Sequence, residues 1–252
     1  MAFAGGNPSL RRGGSERDAI LKISIVRHAT AQDRGEPLPD IERSLVKKGE
    51  KEAIAVANYL ASRHAAPDLM ISSFANRAIE TAHLFAKAFR YPRQRILLRD
   101  ALYGNPSIED LANEIRRQPD KVRSLMIFGH DPAFSQLAAY LIKDFRELLP
   151  KAGVVVAELP VNRWREVESG SGRLLEFTAP SLLKEQKRQL RNDLETRLAR
   201  SMEAVLAGLH RPGAAAFREE VRKSARRTVK SFLKTLNGQG PAPPAKPKRR
   251  AT

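Results

Sequence analysis

The chain contains no cysteine. That absence removes disulfides, thiolate metal sites and cysteine-based phosphatase chemistry together. No apolar run reaches the roughly 18 residues that a membrane helix needs. The opening residues, Met1-Ala-Phe-Ala-Gly-Gly-Asn-Pro8, lack a basic stretch followed by an apolar one. No secretory signal is therefore expected, and a cytoplasmic location is. There is no Gly-Lys-Ser/Thr phosphate loop and no Gly-x-Gly-x-x-Gly, so nucleotide-motor and dinucleotide readings lack support. Neither a His-Glu-x-x-His pattern nor any paired-histidine spacing points to a metal, and no cofactor is expected.

Acidic residues are also few: 28 Asp/Glu stand against 45 Lys/Arg, for a net charge of +17. The imbalance is local. Residues 181–252 hold 18 Lys/Arg and six Asp/Glu, or +12, whereas residues 1–180 carry +5. A basic segment of this kind favours polyanions, so residues 182–252 are a candidate polyanion-binding region. Its only aromatics are Phe217 and Phe232, too few for stacking on single-stranded nucleic acid.

At 252 residues the chain is long enough for one full domain plus an extension. Residues 1–18, rich in Gly, Ser and Arg, read as a disordered lead. From 19 to 180, strand-like and helix-like stretches alternate. Strands are expected at 21–26, 68–72, 95–98, 124–128, 154–159 and 174–178. Helices are expected at 49–63, 76–89, 108–117 and 132–145. The first helix should bury Ala53, Val56, Ala57 and Leu60, and the second Ile79, Ala82, His83 and Ala86. The alternation predicts a three-layer α/β/α sandwich with a mostly parallel central sheet. Pro180 ends that pattern. Residues 181–236 read as a basic helical extension, with Leu183, Leu190, Leu194 and Leu198 aligned and a break at Arg211-Pro-Gly213. Residues 237–252, rich in Pro and Lys, read as a disordered tail.

Four strand ends carry chemistry, and in open α/β sheets ligands bind at the carboxyl ends of strands. Arg27-His28 follows the first strand, Ser72-Ser73-Phe-Ala-Asn-Arg77 the second, Asp100 the third and Gly129-His130-Asp131-Pro132 the fourth. Two arginines and two histidines make a cationic nest for a phosphate dianion. One neutral imidazole can attack phosphorus and form a phosphohistidine, while a carboxyl group protonates the leaving group. Among the neighbours, Asp131 reads as a local helix cap, and Ser72 and Ser73 as turn residues with the option of a phosphate contact. His64, His83 and His210 fit helix faces.

These residues resemble a known family. Arg27-His28-Ala29 is similar to the Arg-His-Gly signature of the histidine phosphatase (phosphoglycerate mutase-like) superfamily. Residues 73–82 resemble its Ser-x-x-x-Arg-Ala-x-x-Thr-Ala motif, and Gly129-His130 its second histidine. Arg-His-Ala-x-Ala at 27–31, Arg43-Ser-Leu-Val-Lys-Lys-Gly49 and Gly129-His-Asp-Pro132 look most like the SixA-type phosphohistidine phosphatase branch. The resemblance covers roughly residues 21–180. It implies that His28 is the phospho-accepting nucleophile and that Arg27, Arg77 and His130 bind phosphate. It places Arg43 at the rim and Asp100 where many relatives carry the acid/base glutamate. Two departures stand out: Ala29 replaces glycine, and Ala31 stands where mutase-like members have threonine. The expected activity is a metal-independent phosphatase acting on phosphohistidine in a protein. The alternatives are a small-molecule phosphoester hydrolase, or a polyanion-binding regulatory adaptor using the basic extension.

Overall fold

The apolar run beginning at Leu21 forms strand β1 (Leu21–Arg27) in a computed structural model that describes residues 20–33, 39–209 and 216–236. Leu21, Ile23, Ile25 and Val26 are fully buried. Lys22 is exposed and Ser24 half-buried between them, so the strand alternates at its start and is apolar on both faces only at Ile25 and Val26. Five more strands join it in one sheet: β2 (Leu69–Ser72), β3 (Leu97–Leu98), β4 (Ser124–Gly129), β5 (Val154–Leu159) and β6 (Arg173–Thr178). The order is β3-β2-β4-β1-β5-β6. Five strands run one way and β5 runs against them. The mostly parallel sheet read from the sequence is what the fold contains.

Helices cover both faces. α1 (Lys47–Ala61) pairs with α2 (Asn76–Ala88) on one side, and α3 (Ile108–Arg116) with α4 (Ala133–Leu141) on the other. The α3–α4 side holds Leu111, Ile115, Phe134, Leu137 and Leu141 against Ile23, Ile25 and Ile127. α1 buries Ala53, Val56, Ala57 and Leu60, the face expected. α2 is rotated from the expected face: Ala78, Thr81, Ala82 and Phe85 are buried, while Ile79 and His83 are only half-buried. The small Ala78 and Ala82 let α2 approach closely, and Phe85 meets Phe128 edge to face at 5.4 Å.

Two further expectations are trimmed. The third strand shrinks to two residues, because Arg93–Arg95 coils into a 3-10 turn after Pro92. α4 stops at Leu141, since Ile142 turns extended (φ −116°, ψ 109°).

The chain divides into two compact units at Pro180/Ser181. In the second, α5 (Pro180–Leu209) and α6 (Arg218–Leu236) share a small core of Ala199, Val221 and Ala225, flanked by Leu198, Met202 and Leu206. Pro180 opens α5, where its missing N–H is harmless. Leu190 lies outside this packing and is 53% exposed, because the buried cluster begins only at Leu198. The expected lead, tail and break at 211–213 lie outside the described residues. No helix among the described residues is long and apolar enough to cross a membrane.

Candidate active site

Sheet order alone gathers the chemistry. β1 and β4 are parallel neighbours, with Arg27 opposite Gly129. His28 and His130 therefore leave the sheet side by side, one strand spacing apart. Their ring centroids lie 5.2 Å apart. β2 flanks β4 on its other side, with Ser72 opposite Phe128. Ser73 thus falls level with Gly129, and α2, starting at Asn76, carries Arg77 to the same edge. Gly129 has to be small: a Cβ there would lie 2.3 Å from the Phe134 ring.

His28 Nδ1 lies 2.7 Å from the Ala29 carbonyl oxygen. A carbonyl only accepts, so Nδ1 carries the proton and Nε2 keeps its lone pair. Burial, with smaller contributions from His130, Arg77 and Arg27, pushes His28 down to about 3 against the opposing pull of the Ala29 carbonyl. Burial likewise lowers His130 to about 4, helped by Arg77, Arg27 and Arg43 and opposed by Asp40. Both rings are neutral at pH 7.

Ser73, fully buried, sits 2.8 Å from His130 Nε2. Its Oγ also accepts from the Ala75 N–H at 3.4 Å. When the Ser73 hydroxyl donates to Nε2, the His130 proton sits on Nδ1, the tautomer that lets Nδ1 donate to a ligand. That nitrogen is buried with no hydrogen-bond partner among the described residues, and so is Arg27 Nε. Buried polar groups are nearly always satisfied, so each exception needs a reason. Arg27 Nε can only donate, and His130 Nδ1 is set up to donate. Both call for an acceptor oxygen. Arg27 Nη1 donates to the Leu149 carbonyl at 2.6 Å and lies 3.7 Å from Asp131.

Arg77 is 5% exposed and already engaged. It donates to the Asp40 carboxylate at 2.8 Å and to the Asp40 carbonyl. Arg43 donates to the other carboxylate oxygen at 2.7 Å and to the Gln32 carbonyl at 2.8 Å. Asp40 thus bridges the two arginines. Partial burial would raise its carboxyl, but hydrogen bonds from Arg43 and Arg77 outweigh this and hold it at about 2.

The structure brings Arg27, His28, Arg77 and His130 to one sheet edge, with Arg43 joined to them through Asp40. Asp100 is not drawn in. It is exposed at the start of a 3-10 turn (Asp100–Leu102), and its carboxyl makes no hydrogen bond or ion pair among the described residues. The next residue, Tyr103, does reach the site: its ring stands edge-on to His130 at 5.9 Å. Asp131 caps α4, accepting from the Ser135 N–H and hydroxyl. Thr81 Oγ accepts from the Ala29 N–H at 3.1 Å and donates to the Arg77 carbonyl at 2.6 Å, joining two of the motifs. Asp40, Tyr103 and the tie made by Thr81 escape a reading of the chain alone. Only Thr81 left a trace there, as the threonine of the Ser-x-x-x-Arg-Ala-x-x-Thr-Ala run. Among the described residues no cluster of His, Asp and Glu has the make-up of a metal site.

Comparison with known proteins identifies the family. Residues 23–147 match the family model of the histidine phosphatase superfamily (branch 1). Two uncharacterized proteins of Mycobacterium tuberculosis, from strains CDC 1551 and H37Rv, are each 30% identical over 155 residues, covering 57% of this chain and 92% of theirs. Among solved structures, the SixA protein of Agrobacterium tumefaciens is 27% identical, with a TM-score of 0.53 over 64% of this chain and 98% of its own. The protein histidine phosphatase SixA complexed with tungstate, 19% identical, shares the fold with a TM-score of 0.56 over 65% of this chain and 99% of that one. The chain belongs to the histidine phosphatase superfamily, as a phosphatase of the SixA type.

Proposed function

We propose that the chain hydrolyses phosphohistidine on a protein, through a phosphoenzyme on His28 and without a metal. One observation carries this reading: among the described residues, the site pairs a neutral nucleophile with no usable acid. His28 presents the Nε2 lone pair. Asp40 is held ionised by two arginines, Asp131 is tied to Ser135 and Arg27, and the Asp100 carboxyl is exposed, with no hydrogen bond or ion pair among the described residues. A phosphoester needs a proton delivered to its leaving oxygen. A phosphorylated imidazole has a far better leaving group and needs less acid help.

The roles follow. Nε2 of His28 attacks phosphorus in line. Arg27 Nε and His130 Nδ1, both buried and without a partner among the described residues, donate to the phosphoryl oxygens, and Arg77 adds its charge. The transfer leaves phosphate on Nε2, and water releases it in a second step. SixA complexed with tungstate is a solved relative in fold, which makes an oxyanion the fitting probe of this pocket. Turnover of a phosphohistidine peptide and of p-nitrophenyl phosphate, measured side by side, tests the proposal. Preference for the peptide supports it. Turnover of several esters and none of the peptide would leave the small-molecule phosphoester reading in its place.

A second reading concerns α6. After Glu220 its charged residues are all basic: Arg222, Lys223, Arg226, Arg227, Lys230 and Lys234. Lys223, Arg227, Lys230 and Lys234 fall on the side opposite the buried Val221, Ala225 and Val229. This favours docking on a polyanion. Salt-sensitive binding that disappears when Arg227, Lys230 and Lys234 are changed to Glu supports that reading, and unchanged binding removes it.

A further inference from the structure

A polar track leaves the catalytic edge along α3. Tyr103, whose ring stands edge-on to His130 at 5.9 Å, also walls a groove of about 300 Å³. Asp110, Asn113 and Arg117 line the α3 side of that groove. Spacings of three and four residues put these three on one stripe of the helix. At 1.5 Å per residue the stripe runs about 10 Å. Arg117, at its far end, lines a second groove as well, of about 580 Å³. The two grooves share that residue and so form one track. It leads from beside His130 to the amino end of β2, where Asp68 and Leu69 line it.

The far groove is cationic. Arg95, Arg99, Arg117 and Lys121 line it against two carboxylates, Asp68 and Glu114. Both carboxylates are engaged within the fold. Buried Glu114 accepts from Arg99 at 3.0 Å. Asp68 accepts from the Ser124 N–H at 2.9 Å and from the Ser124 hydroxyl at 3.0 Å. Arg95, Arg117 and Lys121 make no hydrogen bond or ion pair among the described residues; the Arg95 guanidinium rests over the Tyr91 ring, 5.6 Å from its centroid. Three cations thus face the groove without a counter-ion. Shape narrows the kind of anion they suit. β3 is the border strand, paired only with β2 among the described residues, and its exposed Leu97 lines the same groove. A border strand beside a long groove fits an extended polypeptide. A compact ion would use neither the border nor the track.

We propose that this track docks the protein substrate, with an acidic segment of that substrate in the far groove and its phosphohistidine at His28. This rests on the phosphohistidine reading above. An extended chain spans roughly 3.3 Å per residue, so acidic residues about four to eight positions from the phosphohistidine reach Arg117 and the cations beyond it. The far groove lies a strand's length from the carboxyl edge of the sheet, and its cations do not meet the reacting phosphate. Docking there therefore strengthens binding of substrate and transition state alike, lowering KM and leaving kcat as it is. Because the cations are exposed, the effect fades as salt rises.

The test uses the full chain, a triple variant (Arg95→Glu, Arg117→Glu, Lys121→Glu) and a milder pair (Arg117→Gln, Lys121→Gln). Phosphohistidine peptides carry a block of Glu about six residues before or after the phosphohistidine, or Gln in the same places. On the wild-type chain the better acidic peptide should show a KM about tenfold below its Gln counterpart, with kcat unchanged and the gap closing at high salt. The triple variant should close the gap at low salt and the milder pair should narrow it, with turnover of p-nitrophenyl phosphate unaltered in both. Equal KM values for Glu and Gln peptides on the wild-type chain would overturn the proposal, and so would a gap that survives the triple variant. Loss of the gap in both variants only together with ester turnover would overturn it too. Fluorescence anisotropy with the unphosphorylated acidic peptide reads docking apart from chemistry. A wild-type chain inert toward every phosphohistidine peptide, yet binding the acidic one through these residues, would sink the phosphohistidine reading and leave the docking groove standing.

Discussion

The two arginines flanking the histidines are held in opposite ways. Arg27 keeps a buried Nε with no partner among the described residues, and its Nη1 stands 3.7 Å from Asp131. Arg77 is closed on Asp40 through both the carboxylate and the backbone carbonyl. The first pays a standing desolvation cost that only an incoming acceptor can relieve. The second is satisfied before any ligand arrives. The proposed phosphate pocket thus combines one arginine poised for its ligand with one fixed in position by a resident counter-ion. Readiness and rigidity are divided between them.

The largest expected effect lies on the poised side. His28→Asn should lower turnover by about a thousandfold or more and abolish the phosphoenzyme. Rapid quench followed by acid-labile phosphate analysis checks it; a phosphoenzyme surviving in the variant would remove the nucleophile from this side of the comparison.

The arginines themselves come next. Arg27→Ala should cost about a hundredfold in kcat/KM and lower Tm less than Arg77→Ala, since it strips only the Leu149 carbonyl of a donor while its Nε is unpaired among the described residues. Arg77→Ala should lower Tm as well as activity, because it strips the Asp40 carboxylate and carbonyl of a donor, a loss of about 1–3 kcal/mol. Equal Tm changes in the two variants would erase the distinction drawn here.

Between the two sides stands His130. Ser73→Ala should reduce kcat about tenfold, as the imidazole loses the bond that sets its tautomer. Retention of full kcat would mean that the ring is oriented by packing against Tyr103 and His28 instead.

The smallest effect is in pH dependence. Both histidines have folded-state values below their ordinary 6.5, about 3 and about 4. Below 6.5 the unfolded chain therefore binds more protons than the folded one. Stability is full above 6.5 and falls as pH drops toward 4. His130→Asn should flatten that decline in thermal melts, and an unchanged slope would show that other groups cause it.

How far the chain could be read follows from the range of the forces involved. Arg27, His28, Ser73 and His130 sit directly on strand ends, and a mostly parallel sheet brings such ends together; local sequence therefore reports them. The Asp40–Arg77 bridge spans 37 residues and depends on where a 3-10 turn rests on α2, which no local pattern encodes. Asp100 illustrates the opposite error. A carboxylate after a strand looks available for catalysis, but the 3-10 turn Asp100–Leu102 leaves it exposed, while Tyr103 meets His130. The rotated face of α2 has a similar cause: periodicity fixes which residues share a side, and the packing of Phe85 on Phe128 decides which side is turned inward.

Gly49 opens a last consequence. A Cβ there would stand 1.9 Å from the Thr30 carbonyl oxygen, so α1 begins in direct apposition to the turn that follows His28. On its other flank, that turn hangs from the hydroxyl of Thr81. The His28 imidazole is thereby mounted between two helices like an axle between bearings. Small displacements of either helix would realign the attack proposed for it. On that reading, reaction rate is open to adjustment by substitutions far from the pocket.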